Sequence, residues 1–473
     1  MELSSLTIRK IHQGLLNKEF SCKEITMAYL DNIEKLNKKL NAFITVFDKE
    51  AIVQSEKIDK LIAEKKNLPK IAGIPIAIKD NILIENKKCT AGSKILENYI
   101  APYSATVVKK IQEQGGIILG KTNLDEFAMG ASGEHSAYGA TKNPHNLEYV
   151  PGGSSSGSAV AVASNMALVS IGSDTAGSVR QPSSFCGVVG MKPTYGAVSR
   201  YGLIAMASSL DQIGPIAKNV EDAEILFDVI KGKDIMDSNS YEETKKIDKK
   251  IDVKNLKIGV VKECLGDGIQ KEVADITKNT IKKLEKQGIK VEMVSLPYLE
   301  YGVACYYILM SAEVSSNLAR YDGVKYGMSK KGCEGLLETY YNTRGEFFGK
   351  EVKRRIMLGT YCLSSGYYDA YYLKAQKMRS KIAEDFKKAF QKVDLLLTPT
   401  SPFLPFKLGE KMDDPLSMYM ADFLTVPANL VGLPAISISA SNVESLPVGI
   451  QFIAPRFEEK KIFTISKAFE SLC

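Results

Sequence analysis

Three segments of the chain hold residue types that could together attack a carboxamide. Ile74-Pro-Ile-Ala-Ile-Lys79-Asp80 is an apolar, β-like run that ends in a lysine. Gly152-Gly-Ser154-Ser-Ser156-Gly-Ser158 is a Gly/Ser loop that runs into an apolar helix. Ser173-Asp-Thr175-Ala176-Gly177-Ser178 is a second loop of small residues, followed by Val179-Arg180-Gln181-Pro182. A serine hydroxyl is a weak nucleophile and needs a base. A lysine serves if it is neutral, and the end of a buried strand would desolvate Lys79 and lower its pKa. A second serine can relay the proton. The small residues Thr175, Ala176 and Gly177 let backbone N–H groups face one point, as an oxyanion hole requires. Each piece has a plainer reading when taken alone. A lysine after an apolar strand is usually a snorkelling surface residue, and a Gly/Ser run is usually a turn or linker.

Other motifs fail on context. Gly115-Gly-Ile-Ile-Leu-Gly120-Lys121-Thr122 fits GxxxxGK[ST], but a phosphate loop needs a strand before its first glycine and a helix after its lysine. Here a helix precedes Gly115, Ile117–Leu119 reads as the strand, and Gly115 reads as a helix C-cap. Gly153-Ser-Ser-Ser-Gly157 fits the nucleophile elbow, which needs a histidine after the serine. The only histidines, His12, His135 and His145, all precede it, and they are too scattered to suggest a metal site. No Ser-x-x-Lys motif of the penicillin-interacting kind is present.

Taken together and in this order, the three segments resemble the amidase signature family, whose triad is Lys–Ser–Ser. The signature runs from Gly152 through Ser178 to about Lys192. The resemblance implies that Ser178 is the nucleophile, that Ser154 is the bridging serine with a cis bond to Gly153, and that Lys79 is the base. The family usually carries glycine where this chain has Ser156 and Ala176. Alanine does not readily take a positive φ, which bears on the oxyanion loop.

Further segments narrow the resemblance to the glutamine-hydrolysing subunits of tRNA-dependent amidotransferases. They are Lys121–Gly130, Gly190–Gly196, Ser208–Pro215, Glu351–Ile356, Ser364–Tyr371 and Asp414–Tyr419. The resemblance implies that glutamine is hydrolysed to glutamate and ammonia. A partner subunit then uses ATP and Mg2+ to turn Glu-tRNA(Gln) into Gln-tRNA(Gln). It also implies a heterotrimer with two other subunits, charged tRNA held mainly by the partner, and no cofactor or metal in this chain. An α-carboxylate calls for an arginine and an α-ammonium for a carboxylate; the positions that match the family's are Arg355 and Asp422, with Tyr306. By residue type alone these three read as a helix-surface cation, a turn acid and core packing beside Tyr307. Competing readings are a free-standing amidase for another carboxamide, an ATP-binding protein using Lys121, and a structural subunit without glutaminase activity.

The elements that must position these groups are those of a single α/β domain, a large mixed sheet flanked by helices. Residues 1–65 read as an N-terminal helical segment. A helical face of Leu6, Ile8, Ile11, Leu15 and Leu16 is followed by a helix from Ser21, with Glu24 completing a capping box. Residues 66–230 and 256–473 form the catalytic core, and polar residues 231–255 an exposed loop. Strands are predicted over 71–79, 117–119, 256–261, 290–294, 393–398, 436–439 and 449–453. Helices are predicted over 105–114, 219–230, 269–287 and much of 303–392. At 473 residues, with 45% hydrophobic and 25% charged content, the chain can bury a large core without disulfides. Its net charge of +7 is a mild bias, favouring solubility over a nucleic-acid surface. Eight scattered cysteines, none in a CxxC pair, argue against a disulfide framework or zinc ribbon. With no signal-like start and no span-length apolar run, a cytoplasmic protein is expected.

Overall fold

A computed structural model describes residues 2–64, 68–241 and 251–472. Its centre is one eleven-stranded sheet in the order β1-β3-β2-β4-β6-β5-β10-β11-β9-β7-β8. The strands are β1 Phe43–Val46, β2 Pro75–Lys79, β3 Ile117–Thr122, β4 Val169–Asp174, β5 Val189–Lys192 and β6 Gln212–Ala217. They continue with β7 Lys257–Val261, β8 Lys290–Val294, β9 Leu395–Pro399, β10 Ala435–Val443 and β11 Leu446–Ile453. β2 runs parallel to both β3 and β4, and β7 runs parallel to both β8 and β9; the other pairings are antiparallel. The fold is the mixed α/β domain expected, with helices covering a buried sheet.

The N-terminal region folds as its caps direct. Ser21 and Glu24 form a reciprocal capping box that opens the helix Cys22–Leu40. The region is not wholly helical, however. Phe43–Val46 forms β1 and pairs antiparallel with β3 before the helix Asp48–Ala63. Four residues carry too little periodicity to separate a strand from a loop, and it is pairing to β3 that makes them one. Three central strands, β4, β5 and β6, also went unpredicted. β4 and β6 lie side by side in the middle of the sheet. They read VSIGSD and QIGPIA, and glycine, serine and proline mask their strand character. Gly172 and Gly214 allow close approach, for a Cβ at Gly214 would stand 2.0 Å from the Met191 carbonyl oxygen.

Part of the expected exposed loop is tied down. Arg200 makes an ion pair with Asp237, and Asp234 accepts hydrogen bonds from the hydroxyls of Ser199 and Thr106. Residues 242–250 of that loop lie outside the described residues. A block of helices between β8 and β9 includes Gly302–Asn317, Lys350–Leu363 and Lys374–Ala389. The first two pack against each other; the first carries Tyr306 and Tyr307 and the second Arg355.

Candidate active site

The parallel strands β2, β3 and β4 end together, and loops from these ends build the site. Lys79 is the last residue of β2, and its side chain is wholly buried. Its Nζ lies 2.8 Å from Ser154 Oγ, 2.8 Å from Ser155 Oγ and 3.2 Å from the Ser173 carbonyl oxygen. Burial pulls its pKa down from 10.5 to about 7, while Asp125, Asp174 and Asp211 pull it back up. Ser155 Oγ itself donates to the Ser173 carbonyl at 3.1 Å. It therefore accepts from Lys79, as the Ser173 carbonyl does too. A neutral amine has two N–H groups and one lone pair, so with both N–H groups so used the lone pair faces the Ser154 hydroxyl. Sequence reasoning named Ser154 but missed Ser155; its place in the run of serines gave no signal of its own.

The Gly153–Ser154 bond is cis. Ser154 precedes the helix Ser156–Ala163, which packs close because Gly157 has no side chain: a Cβ there would stand 2.2 Å from the Ala42 carbonyl oxygen. Ser178 is 5% exposed, and its carbonyl accepts from Ser155 N at 3.0 Å, so the two serine loops are joined through their backbones. No hydrogen bond engages the Ser178 hydroxyl among the described residues, so it is not directly bonded to Ser154 here.

The loop Thr175–Ser178 is buried, and its backbone N–H groups donate to no carbonyl or side chain among the described residues. Unpaired amides in a buried loop are uncommon and are ready to receive an anion. Ala176 is absent from the residues with positive φ; the unusual conformation falls on Gly177, at φ +150. The alanine is thus accommodated, because its neighbour takes the angle it could not. A Cβ at Gly177 would meet Thr425 Oγ1 at 2.3 Å. The Thr175 hydroxyl donates to Asp211 at 2.7 Å, and Asp211 also accepts from the N–H groups of Met206 and Ala207.

Asp174 and Arg180 close this loop, although the sequence had given Arg180 no role. Both are fully buried; Arg180 Nε and Nη2 reach the two Asp174 oxygens at 3.1 and 3.2 Å. Arg180 also donates to Gln451, the Thr425 carbonyl and Asn429. Its guanidinium holds Asp174 below the usual carboxylate range despite burial.

The residues expected to grip an amino acid gather beside this loop. Arg355 is 3% exposed and Asp422 6%, so both leave the surface readings behind, whereas Tyr306, at 1%, is buried as core packing beside Tyr307 would have it. Arg355 Nε donates to Glu351 at 2.8 Å, and its guanidinium lies 5.1 Å from the Tyr307 ring centroid and 5.6 Å from that of Tyr419. Tyr307 and Tyr419 stack at 3.8 Å. It is Tyr307, rather than Tyr306, whose hydroxyl donates to Asp422, at 3.1 Å; Tyr306 packs edge-on against Tyr307 at 5.0 Å. Burial pushes Asp422 up to about 7, against the pull of Arg355 and the Tyr307 hydrogen bond. Thr425 donates to the Asp422 carbonyl and touches Gly177's position, so Asp422 sits one turn from the loop 175–178. Glu351, Tyr307 and Tyr419 were not singled out in the sequence. Glu351 stands at i−4 from Arg355, the one spacing that could have marked it.

Lys121, the lysine of the phosphate-loop pattern, lies wholly buried in β3. It pairs with Asp80 at 2.9 Å and donates to the Ile82 carbonyl at 2.8 Å. Gly115 follows the helix Thr106–Glu113 with φ +78, as a helix end does. Strand rather than loop surrounds the lysine, so no phosphate cradle forms. Among the described residues, no group of three or more His, Cys, Asp or Glu could hold a metal ion, and no helix is long and apolar enough to cross a membrane.

Comparison with known proteins fits this geometry. The family profile described as Amidase matches residues 24–463. The glutamyl-tRNA(Gln) amidotransferase A subunit of Thermoanaerobacter pseudethanolicus is 53% identical over 477 residues, covering 99% of this chain and 97% of that protein. The crystal structure of the same-named protein from Thermotoga maritima is 43% identical, with a TM-score of 0.82 and coverage of 100% and 95%. A native peptide amidase from Stenotrophomonas maltophilia shares 27% identity, with a TM-score of 0.83 and coverage of 100% and 97%. The chain therefore belongs to the amidase family, and relatives that share half its sequence over nearly their whole lengths are glutamyl-tRNA(Gln) amidotransferase A subunits.

Proposed function

We propose that this chain is the glutamine-hydrolysing subunit of a glutamyl-tRNA(Gln) amidotransferase, with Lys79, Ser154 and Ser178 as its catalytic residues. The observation that carries the reading is the buried Lys79 amine, 2.8 Å from Ser154 Oγ, beside a loop of unpaired amides ending in Ser178. The Ser178 hydroxyl attacks the side-chain carbonyl of glutamine. Its proton passes to Ser154, and that of Ser154 to Lys79. The negative oxygen that forms is received by the N–H groups of Thr175, Ala176 and Gly177. As the intermediate collapses, the C–N bond breaks, and the proton returns from Lys79 through Ser154 to the leaving nitrogen, which departs as ammonia. Water then cleaves the γ-glutamyl ester on Ser178 by the same proton path and releases glutamate.

Arg355 binds the α-carboxylate of glutamine and Asp422 its α-ammonium, with Tyr306 and Tyr307 forming the wall between. The ammonia goes to a partner subunit, which uses ATP and Mg2+ to amidate Glu-tRNA(Gln). The assembly is a cytoplasmic heterotrimer that holds tRNA mainly through that partner. Within the chain, residues 66–230 and 256–473 act as the catalytic core and residues 1–65 as its N-terminal brace. The test is ammonia release from glutamine by the chain, alone and with its partner subunits, for wild type and Ser178→Ala. Release that depends on Ser178 and rises with the partners is expected. Cleavage of another carboxamide through Ser178, with none of glutamine, would replace this reading with a free-standing amidase.

A further inference from the structure

The segment that follows β3 touches both halves of the site. Asp125 and Glu126 are adjacent and buried, and their carboxylates serve different elements. Asp125 N donates to the Ser154 carbonyl at 3.3 Å, and its carboxylate accepts from Gly133 N and His135 N at 3.1 and 3.0 Å. A Cβ at Gly153 would stand 2.1 Å from Asp125 Oδ2, so this carboxylate lies directly against the peptide that carries Ser154. Glu126 reaches the other way. Its Oε2 accepts from Gly349 N at 2.9 Å, and its Oε1 accepts from the Ser93 hydroxyl. Gly349 is the N-cap of Lys350–Leu363, the helix that carries Glu351 and Arg355.

Two further observations show that this contact is built rather than incidental. A side chain at position 349 would place its Cβ 2.2 Å from Glu126 Oε2, so glycine there lets the carboxylate approach the helix end. Phe127 and Ala128 follow with φ 50 and 63, a region that non-glycine residues occupy only when their surroundings hold them. The Phe127 ring is held at 5.1 Å from Tyr321 and at 5.8 Å from Phe348, the residue just before Gly349. Glu126 and Phe127 thus grip Phe348 and Gly349 by a polar and an apolar contact. The Glu351–Arg355 pair lies within the first two turns beyond that grip.

We propose that Glu126 is a positioning residue for glutamine binding: by anchoring the N-terminus of the Arg355 helix, it sets where that guanidinium meets the substrate carboxylate. The proposal rests on the reading of Arg355 given above. Release of the anchor frees the helix end and moves Arg355 with it. The Lys79–Ser154 contact is made by other elements and stays in place. Glutamine at position 126 keeps an oxygen for Gly349 N and turns its amide to the Ser93 oxygen, so it restores the anchor.

The test uses the chain assembled with its partner subunits, as wild type, Glu126→Ala, Glu126→Gln and Arg355→Ala. Ser178 is labelled with a fluorophosphonate, whose phosphorus bonds to Ser178 Oγ as fluoride leaves, and glutamine is titrated in to slow the labelling. Glu126→Ala is expected to label within about twofold of the wild-type rate without glutamine. It is expected to need about tenfold more glutamine or higher for half-protection, on the scale of one lost hydrogen bond. Glu126→Gln is expected to return to the wild-type curve. Unchanged protection in Glu126→Ala overturns the proposal, and so does joint loss of labelling and protection, which would make Glu126 a prop of the whole site. Undiminished protection in Arg355→Ala would instead remove the Arg355 assignment on which the proposal rests.

Discussion

A lysine amine can take a proton from a serine hydroxyl only while it is itself neutral. With Lys79 at about 7, the fraction of active enzyme falls as pH drops through 7 and reaches a plateau above it. Glutamine hydrolysis should follow that limb, losing about tenfold per pH unit on the acid side. Lys79→Arg should abolish it at every pH, because a guanidinium stays charged. Ser155 adds a second residue-scale prediction. Without its oxygen, one Lys79 N–H loses its acceptor and the lone pair is free to turn from Ser154. Ser155→Ala should lower kcat by roughly tenfold to a hundredfold, the worth of about 1–3 kcal/mol for a buried polar group left unpaired. An unchanged kcat would remove Ser155 from the proton path. At this scale Lys79 alone would have read as a snorkelling surface residue; the sequence was informative where several ordinary pieces occur in one order, as the segments of Lys79, Ser154 and Ser178 do. It was silent on Ser155, one serine among three, and on the choice of Tyr307 over Tyr306 as the partner of Asp422, which depends on which side of a helix faces the turn at 420–422.

The loop 175–178, proposed above as the oxyanion hole, acts as an element because both its ends are pinned. Asp174 ends β4 and Arg180 begins the helix Arg180–Cys186, and their buried pair closes the loop between them. Arg180→Ala leaves Asp174 charged and unpaired in the interior, which costs about 3–5 kcal/mol. Thermal unfolding should show that loss, and ammonia release should fall with it. Retention of wild-type Tm would mean that the loop is held by other contacts. The same loop shows why sequence reasoning paused at Ala176. The conformational demand of a turn is shared among its residues, and only the backbone path reveals that Gly177 carries the positive φ. β4 and β6 were hidden for a related reason. Their glycines and serines serve close approach between strands and helices, and composition alone cannot distinguish that from a loop.

Across the whole molecule, the site is built at the expense of stability. Lys79 and Lys192 both fall from 10.5 to about 7 because they are buried. Between pH 7 and 10.5 the unfolded chain holds those protons and the folded chain does not, so stability rises with pH across that window. Glu126 and Asp422, raised by burial to about 7, act in the opposite sense between about pH 4 and 7, where the folded chain holds the extra protons. Lys79→Met should therefore gain stability relative to wild type most clearly at or below pH 7. That gain should shrink towards pH 10.5, apart from a constant offset from the lost hydrogen bonds, and Tm against pH for the two proteins measures it. A flat difference would mean that Lys79 is charged in the folded protein.

The sequence by itself determined the α/β class, the helix Cys22–Leu40 with its cap and most outer strands, and it pointed to the segments that carry Lys79, Ser154 and Ser178. These features depend on periodicity, on local hydrogen bonds and on short motifs, and all of these act over short stretches of chain. Only the tertiary structure decided the order of eleven strands, the place of β1, β4, β5 and β6 among them, the burial of Lys121 against Asp80, and the meeting of Arg355, Asp422 and Tyr307 from separate helices and turns. Those outcomes depend on contacts between residues tens to hundreds of positions apart, where packing and desolvation rather than local propensity set the energy.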